Sequence, residues 1–387
     1  MKFKIMVYLF ATMLISAILT PFIRTLAFKI GGIDEPNKRR MNKIPMPTLG
    51  GLAIFVAYTC ATMLMMRNQM PSHQLWGIFG GELIIILTGL TDDVYVLKPH
   101  QKVIGISLAS LFVYFFGQIR MNLVTLPIIG NFHLGLLSLP VTWLWILAIT
   151  NAVNLIDGLD GLATGVAIIA LTTMGLIGTF FLGTANVFVV IMIFSLVASC
   201  IGFLPYNFFP ARIYLGDTGS LFIGFMISVF SLNGLKDATF ISVIIPVIIL
   251  GVPITDTVCA IIRRVLNRQP ISHADKRHLH HRLMQIGLTI RQTVLVIYGI
   301  ALIFSFISLL YPISNFWGSI LLTVATLIGL ELFVESISLA GAHRQPLLHG
   351  IRWIVKNTTS RSNHLKDFKL KLYKIKTRII FGGLFIS

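Results

Sequence analysis

Apolar residues in this chain come in long blocks, without the alternation of a half-buried strand or the three-and-four spacing of a surface helix. Eleven blocks, at 5–27, 49–66, 75–91, 103–119, 138–156, 161–182, 187–205, 218–235, 239–262, 292–311 and 315–336, approach the length that crosses a bilayer as a helix, about 20 residues. The first block follows Lys2 and Lys4 as a signal peptide would, but it lacks a small-residue cleavage site and runs on too far, so it reads as a span. Polar residues gather between the blocks. The pattern predicts an all-α polytopic membrane protein of about 11 transmembrane helices, with one transmembrane domain over 1–336 and a basic tail over 337–387. The end of that tail, Phe368 to Ile379, interleaves apolar and basic residues, as either a membrane-surface helix or a solvated tail would.

Composition excludes a soluble fold. The chain is 56% hydrophobic and 12% charged, against roughly 25% charged in soluble domains. Its 31 Lys+Arg outnumber 14 Asp+Glu. Because the bases lie mostly between apolar blocks, they read as orientation signals and as ligands for anionic lipids and phosphates, and nucleic acid is not expected. Loops 28–48, 92–102, 157–160, 206–217, 263–291 and the tail carry 25 Lys+Arg, while the opposite set carries five. The positive-inside rule then places the N-terminus outside and the C-terminus in the cytoplasm. Cys60, Cys200 and Cys259 sit inside apolar blocks without CxxC spacing and read as small buried hydrophobes.

Every polar motif falls on the cytoplasmic side of this assignment. Asp92-Asp93 ends an apolar run, either as a helix end at the water boundary, with Lys98 and Lys102 as ion-pair partners, or as a cation site. Asn151, Asn154 and Asp157 recur every three residues at the end of another span, with Asp160 following and Gly158 and Gly161 permitting a turn or a close approach to a ligand. Asp217, in Gly216-Asp217-Thr218-Gly219-Ser220, opens a span where a plain helix cap is the alternative, and Tyr214 offers an aromatic face to a base. Asp256 lies within the 239–262 block, with Thr255 or Arg263 as candidate partners. His278, His280, His281 and Arg282 occupy a loop that also carries Arg263, Arg264, Arg268, Lys276 and Arg277. Clustered histidines fit zinc, but so cationic a loop without Cys better suits a pyrophosphate. Lys43 and Thr48 belong to a first loop that combines bases with a Pro/Gly pattern suited to a rigid turn. Carboxylates and amides for a hard cation, a basic shell for phosphates and a membrane body are the parts phosphoryl transfer to a lipid needs.

Four ordered stretches, LTGLTDD, NAVNLIDGLDGLATG, ARIYLGDTGS and ADKRHLHHRL, resemble the polyprenyl-phosphate N-acetylhexosamine-1-phosphate transferases, over about residues 30–285. That family includes the initiating enzymes for wall teichoic acid and O-antigen and the phospho-MurNAc-pentapeptide translocase. The resemblance implies that Asp217 binds Mg²⁺, or Mn²⁺, with Asn154 as second ligand. It implies that Asp92 and Asp93 activate the lipid phosphate and that Asp157 and Asp160 lie catalytically near the nucleotide and metal. Tyr214 then stacks on uracil, and His278, His280 and His281 with Arg282 contact pyrophosphate and sugar. Lys43, Thr48 and Asn151 complete the substrate contacts. Where relatives often have a histidine, two residues after the basic pair of the first loop, this chain has Asn42.

The HLHHRL form resembles the GlcNAc-1-phosphate branch. It implies transfer from UDP-GlcNAc to undecaprenyl phosphate in a bacterial cytoplasmic membrane, as the first membrane step of an envelope glycopolymer; a homodimer is compatible with this. UDP-MurNAc-pentapeptide as donor, a transporter or flippase, and a zinc hydrolase built on the histidines are the alternatives.

Overall fold

The computed structural model describes residues 2–35, 44–66, 69–126, 130–181, 187–234, 241–266, 268 and 278–336. Lys43 and the tail from 337 lie outside the described residues. All the site residues discussed below belong to one compact unit, residues 1–324; a second unit begins at Ala325.

The apolar blocks become helices with nearly the expected bounds. These are α1 (Lys2–Ile30), α2 (Gly50–Met66), α3 (Ser72–Tyr95), α4 (Pro99–Phe115), α5 (Ser138–Ile156), α6 (Leu162–Phe181), α7 (Val187–Asn207) and α8 (Gly216–Gly234). After them come α9 (Ile241–Ile249), α10 (Gly251–Leu266), the short α11 (Leu279–Gln285), α12 (Ile290–Leu310) and α13 (Phe316–Ser336). Among the described residues six helical segments are long and apolar enough to cross a membrane, and α2 and Phe316–Glu331 are shorter apolar helices. The chain is a multi-pass membrane protein.

Two expectations need correction. The 239–262 block is two helices, not one: Pro253 has no N–H to continue the ladder, and α10 starts afresh at Gly251. The fold is also not purely α. Strands β1 (Ile33–Asp34) and β2 (Met46–Pro47) pair antiparallel, as do β3 (Leu123–Leu126) and β4 (Gly130–His133). In the first pair Ile33 faces Pro47 and Asp34 faces Met46, which folds the ends of the first loop back on each other.

Helix α8 is the axis of the bundle. Leu221, Phe222, Ile223, Phe225, Met226, Ile227 and Val229 are fully buried, as expected of a helix apolar all round and enclosed by others. Helices α2, α3 and α5 pack against it. By contrast α1 exposes Phe3, Met6, Phe10, Ile18 and Phe22, an apolar surface suited to acyl chains. The approach of α3 to α8 depends on Gly89, where a Cβ would lie 2.5 Å from Thr218 Cα. A small residue there lets the two backbones touch, and one turn further on α3 delivers its two aspartates to the start of α8.

Candidate active site

The acidic motifs, far apart in sequence, meet at one end of the bundle. At the end of α3, Asp93 Oδ1 accepts the Asp217 backbone N–H (2.9 Å), while Oδ2 accepts the Thr218 N–H (2.9 Å) and the Thr218 hydroxyl (2.6 Å). A helix leaves its first N–H groups without intrahelical partners, and its N-terminus attracts negative charge. Asp93 therefore caps α8 from a neighbouring helix. Its carboxylate is engaged with three donors of α8.

Asp92 points to different partners. Its Oδ1 accepts the Leu97 N–H (2.7 Å), and Oδ2 forms an ion pair with Lys102 in the first turn of α4. Pro99 fixes the start of that helix, where a missing N–H costs nothing. Lys102 Nζ also lies 3.2 Å from Asp217 Oδ1, so one ammonium joins two carboxylates. Those two carboxylates hold the Lys102 ammonium above its ordinary range despite the opposing effect of burial.

Asn154 of α5 donates through Nδ2 to Asp217 Oδ1 in a short hydrogen bond and to Ser220 Oγ at 2.8 Å. The regular spacing of Asn151, Asn154 and Asp157 does not give them one job. Asn151 turns back to donate to the Leu147 carbonyl of its own helix (2.8 Å). Asp157 stands past the helix end, where its backbone has left helical geometry. Burial, followed by the charges of Asp217, Asp93 and Asp160, pushes the Asp157 carboxyl well above the usual carboxylate range. Asp160 Oδ2 accepts the Ala211 N–H (2.9 Å), tying this loop to the one before α8, and burial raises its carboxyl as well.

The first loop joins the same end through backbone bonds. Tyr214 N–H donates to the Pro47 carbonyl (2.8 Å), and the Gly50 N–H donates to the Tyr214 carbonyl (3.0 Å). Thr48 N–H donates to the Gly32 carbonyl (3.0 Å), anchoring the turn that Pro and Gly suggested. Tyr214 is half-buried beside Asp217 in the chain.

The histidines complete the arrangement from α11. His278 and His280 are buried, with rings parallel at 5.9 Å, and His281 packs on His280 at 4.2 Å. His280 rests on the Asp157–Asp160 loop: a Cβ on Gly158 would come within 2.7 Å of its ring, so only glycine leaves room. Burial, then the neighbouring His281, pushes the His280 imidazole down to about 3, so near neutral pH it is an uncharged ring. His281 and Arg282 are half-buried on the same short helix.

Asp92, Asp93, Asp157 and Asp217 crowd one end of α8, with Lys102 bridging two of them. This excess of hard, negative oxygen fits Mg²⁺, which typically takes one or two carboxylates and completes its shell with water and substrate phosphate. Among the described residues no group of three or more His, Cys, Asp or Glu is arranged to hold a metal by itself. Two residues weigh more than the sequence suggested. Lys102 appeared only as an ion-pair candidate beside Asp92, although a base soon after an aspartate pair was the available signal. Asp256 appeared without its partner, His278, which is 22 residues away.

Comparison with known proteins gives the following. Residues 75–235 match the glycosyl transferase family 4 model. The chain is 40% identical over 355 residues, 91% of its length and 98% of the relative's, to the "Probable undecaprenyl-phosphate N-acetylglucosaminyl 1-phosphate transferase" of Bacillus subtilis (strain 168). It is 33% identical to the decaprenyl-phosphate N-acetylglucosaminephosphotransferase of Mycolicibacterium smegmatis, covering 72% of this chain and 75% of that one. It is 34% identical to the phospho-N-acetylmuramoyl-pentapeptide-transferase of Clostridium beijerinckii, covering 73% of this chain and 87% of that one.

Proposed function

Because the chain belongs to glycosyl transferase family 4, we propose that it transfers GlcNAc-1-phosphate from UDP-GlcNAc to undecaprenyl phosphate, giving undecaprenyl-diphospho-GlcNAc and UMP. The observation that carries this reading is the placement of Asp217, held by Lys102 and Asn154 at the start of α8, with Asp92 on the same lysine. An acceptor phosphate oxygen attacks the β-phosphorus of the donor, the bond from that phosphorus to the bridging oxygen breaks, and UMP leaves. A phosphate monoester has a second pKa of about 6, so the acceptor is largely a dianion near neutral pH and needs positioning more than a strong base.

The residues divide that work. Asp217 supplies the carboxylate for Mg²⁺, with Mn²⁺ as a substitute, and Asn154 keeps it aimed. When bound, the cation neutralises phosphate oxygens as charge moves toward UMP. Lys102 offsets the carboxylates and presents an ammonium to the incoming phosphate, and Asp92 holds that ammonium in place. Tyr214 provides a face for uracil, and His280 an uncharged ring over the Asp157–Asp160 loop. The 40% identity to the Bacillus subtilis relative over 91% of this chain supports GlcNAc as the sugar. The similarity to the Clostridium beijerinckii enzyme makes a MurNAc-pentapeptide donor the second reading. Charge counting supports a site facing the cytoplasm of a bacterial cytoplasmic membrane, where nucleotide sugars are made.

The test is to incubate purified protein with undecaprenyl phosphate, Mg²⁺ and labelled UDP-GlcNAc, UDP-GalNAc or UDP-MurNAc-pentapeptide. Lipid-extractable label from UDP-GlcNAc alone, lost with Asp217→Asn, is the expected result. Label from the pentapeptide donor alone would replace the GlcNAc reading, and label from none would end the transferase reading.

A further inference from the structure

Asp256 lies on α10 between Thr255 and Thr257, followed by Val, Cys, Ala and Ile up to Arg263, and is almost completely buried. The proposed reaction gives it no task. An ionised carboxylate in such surroundings costs several kcal/mol unless hydrogen bonds or charge offset it, so its partners show what it is there to hold. Both belong to the histidine segment. Asp256 Oδ2 lies 3.0 Å from His278 Nδ1, and Oδ1 accepts the Leu279 backbone N–H at 2.9 Å. One carboxylate thus grips the imidazole that precedes α11 and the first amide of α11 itself.

We propose that Asp256 is a positioning residue for the donor side of the site: from within the bundle it fixes the tautomer of His278 and the place of α11, and so seats His280 over Gly158. This rests on the donor-transfer reading above. A carboxylate opposite Nδ1 can only accept, so Nδ1 carries the hydrogen and Nε2 is left as the nitrogen without one. The His278 ring, held this way, lies parallel to that of His280. The His280 ring in turn fills the space that Gly158 leaves open beside Asp157 and Asp160. The path from α10 to the nucleotide side of the site is therefore two hydrogen bonds, one ring pair and one close backbone contact. Outer partners that orient metal-ligating histidines matter by about 10–100-fold when removed, and the lower end of that range is the scale expected for a histidine oriented in the same way without a metal.

Two variants separate positioning from folding. Asp256→Asn keeps an oxygen for the Leu279 N–H but turns an NH₂ toward His278 Nδ1, which must then accept, so the hydrogen moves to Nε2. Asp256→Ala removes both bonds. With histidine-selective ¹⁵N labelling of the full-length protein in nanodiscs, and His278 assigned by His278→Gln, wild type should give the Nδ1–H pattern and Asp256→Asn the Nε2–H pattern. Asp256→Asn should also raise the KM for UDP-GlcNAc about tenfold with a smaller change in kcat. Amide exchange at 279–285 should stay near wild type in Asp256→Asn and accelerate in Asp256→Ala. An unchanged His278 spectrum, or an unchanged KM beside a reversed tautomer, would overturn the proposal. Wild-type protein that ignores UDP-GlcNAc would instead sink the donor reading, and the spectrum would still decide the role of Asp256.

Discussion

Substituting Asp93 by Asn separates two accounts of the aspartate pair. If Asp93 removes a proton from the acceptor, the loss should shrink at pH 8.5, where the phosphate ionises unaided. The structure instead engages both Asp93 oxygens with α8. Asparagine keeps one acceptor and turns an NH₂ toward donors that need an oxygen. A lost cap costs about 0.5–2 kcal/mol, and an unsatisfied buried donor about 1–3 kcal/mol. Removing the charge from the helix end adds up to ~2 kcal/mol when partly buried. These contributions overlap, so about 3 kcal/mol is a reasonable local penalty, concentrated on the turn that carries Asp217. If the whole penalty is expressed as loss of the competent geometry of that turn, about 1.4 kcal/mol per tenfold sets two orders of magnitude as the upper limit of the fall in kcat, by the same factor at pH 6.5 and 8.5. The thermal midpoint should fall as well. The assay is initial rates of labelled lipid formation at both pH values, alongside thermal unfolding in the same detergent. Wild-type stability together with recovery of activity at pH 8.5 would refute the capping argument and restore Asp93 as the proton acceptor.

Lys102→Met should lower turnover about a hundredfold, roughly 2.7 kcal/mol, because Asp92 and Asp217 then face each other without the ammonium; rates within threefold of wild type would remove Lys102 from the site. His280 makes stability depend on pH. Its folded value of about 3 lies below the ordinary 6.5, so unfolded chains bind a proton that folded ones refuse, and stability falls as pH drops from 6.5 toward 3. His280→Gln should flatten the thermal midpoint between pH 7.5 and 5.0, and an unaltered slope would mean the ring is not buried neutral. Topology is open to labelling once Cys60, Cys200 and Cys259 are replaced. Gln69→Cys, at an exposed position between α2 and α3, should react with an impermeant maleimide on intact cells and Val96→Cys should not, whereas outside labelling at 96 would put the site on the wrong face for a cytoplasmic donor.

Sequence alone determined where the long apolar helices lie, because that signal is local. Transfer of apolar side chains depends on composition over about 20 residues, and the described helices fall close to the predicted blocks. Charge counting also predicts the polar motifs on one side, and the structure brings Asp92, Asp93, Asp157 and Asp217 to one end of α8. The division of labour among the carboxylates was decided by tertiary structure. Asp92 and Asp93 are adjacent, yet one meets Lys102 and the other caps α8, because Gly89 allows α3 to reach the first turn of α8. Asn151 and Asn154 are one helical turn apart, yet only Asn154 reaches Asp217. The pairing of Asp256 with His278, 22 residues away, depends likewise on how α10 packs. Hydropathy is summed along the chain and so is written in its order. Hydrogen-bond partners are set within about 3 Å, a distance fixed only once helices remote in sequence have closed on one another.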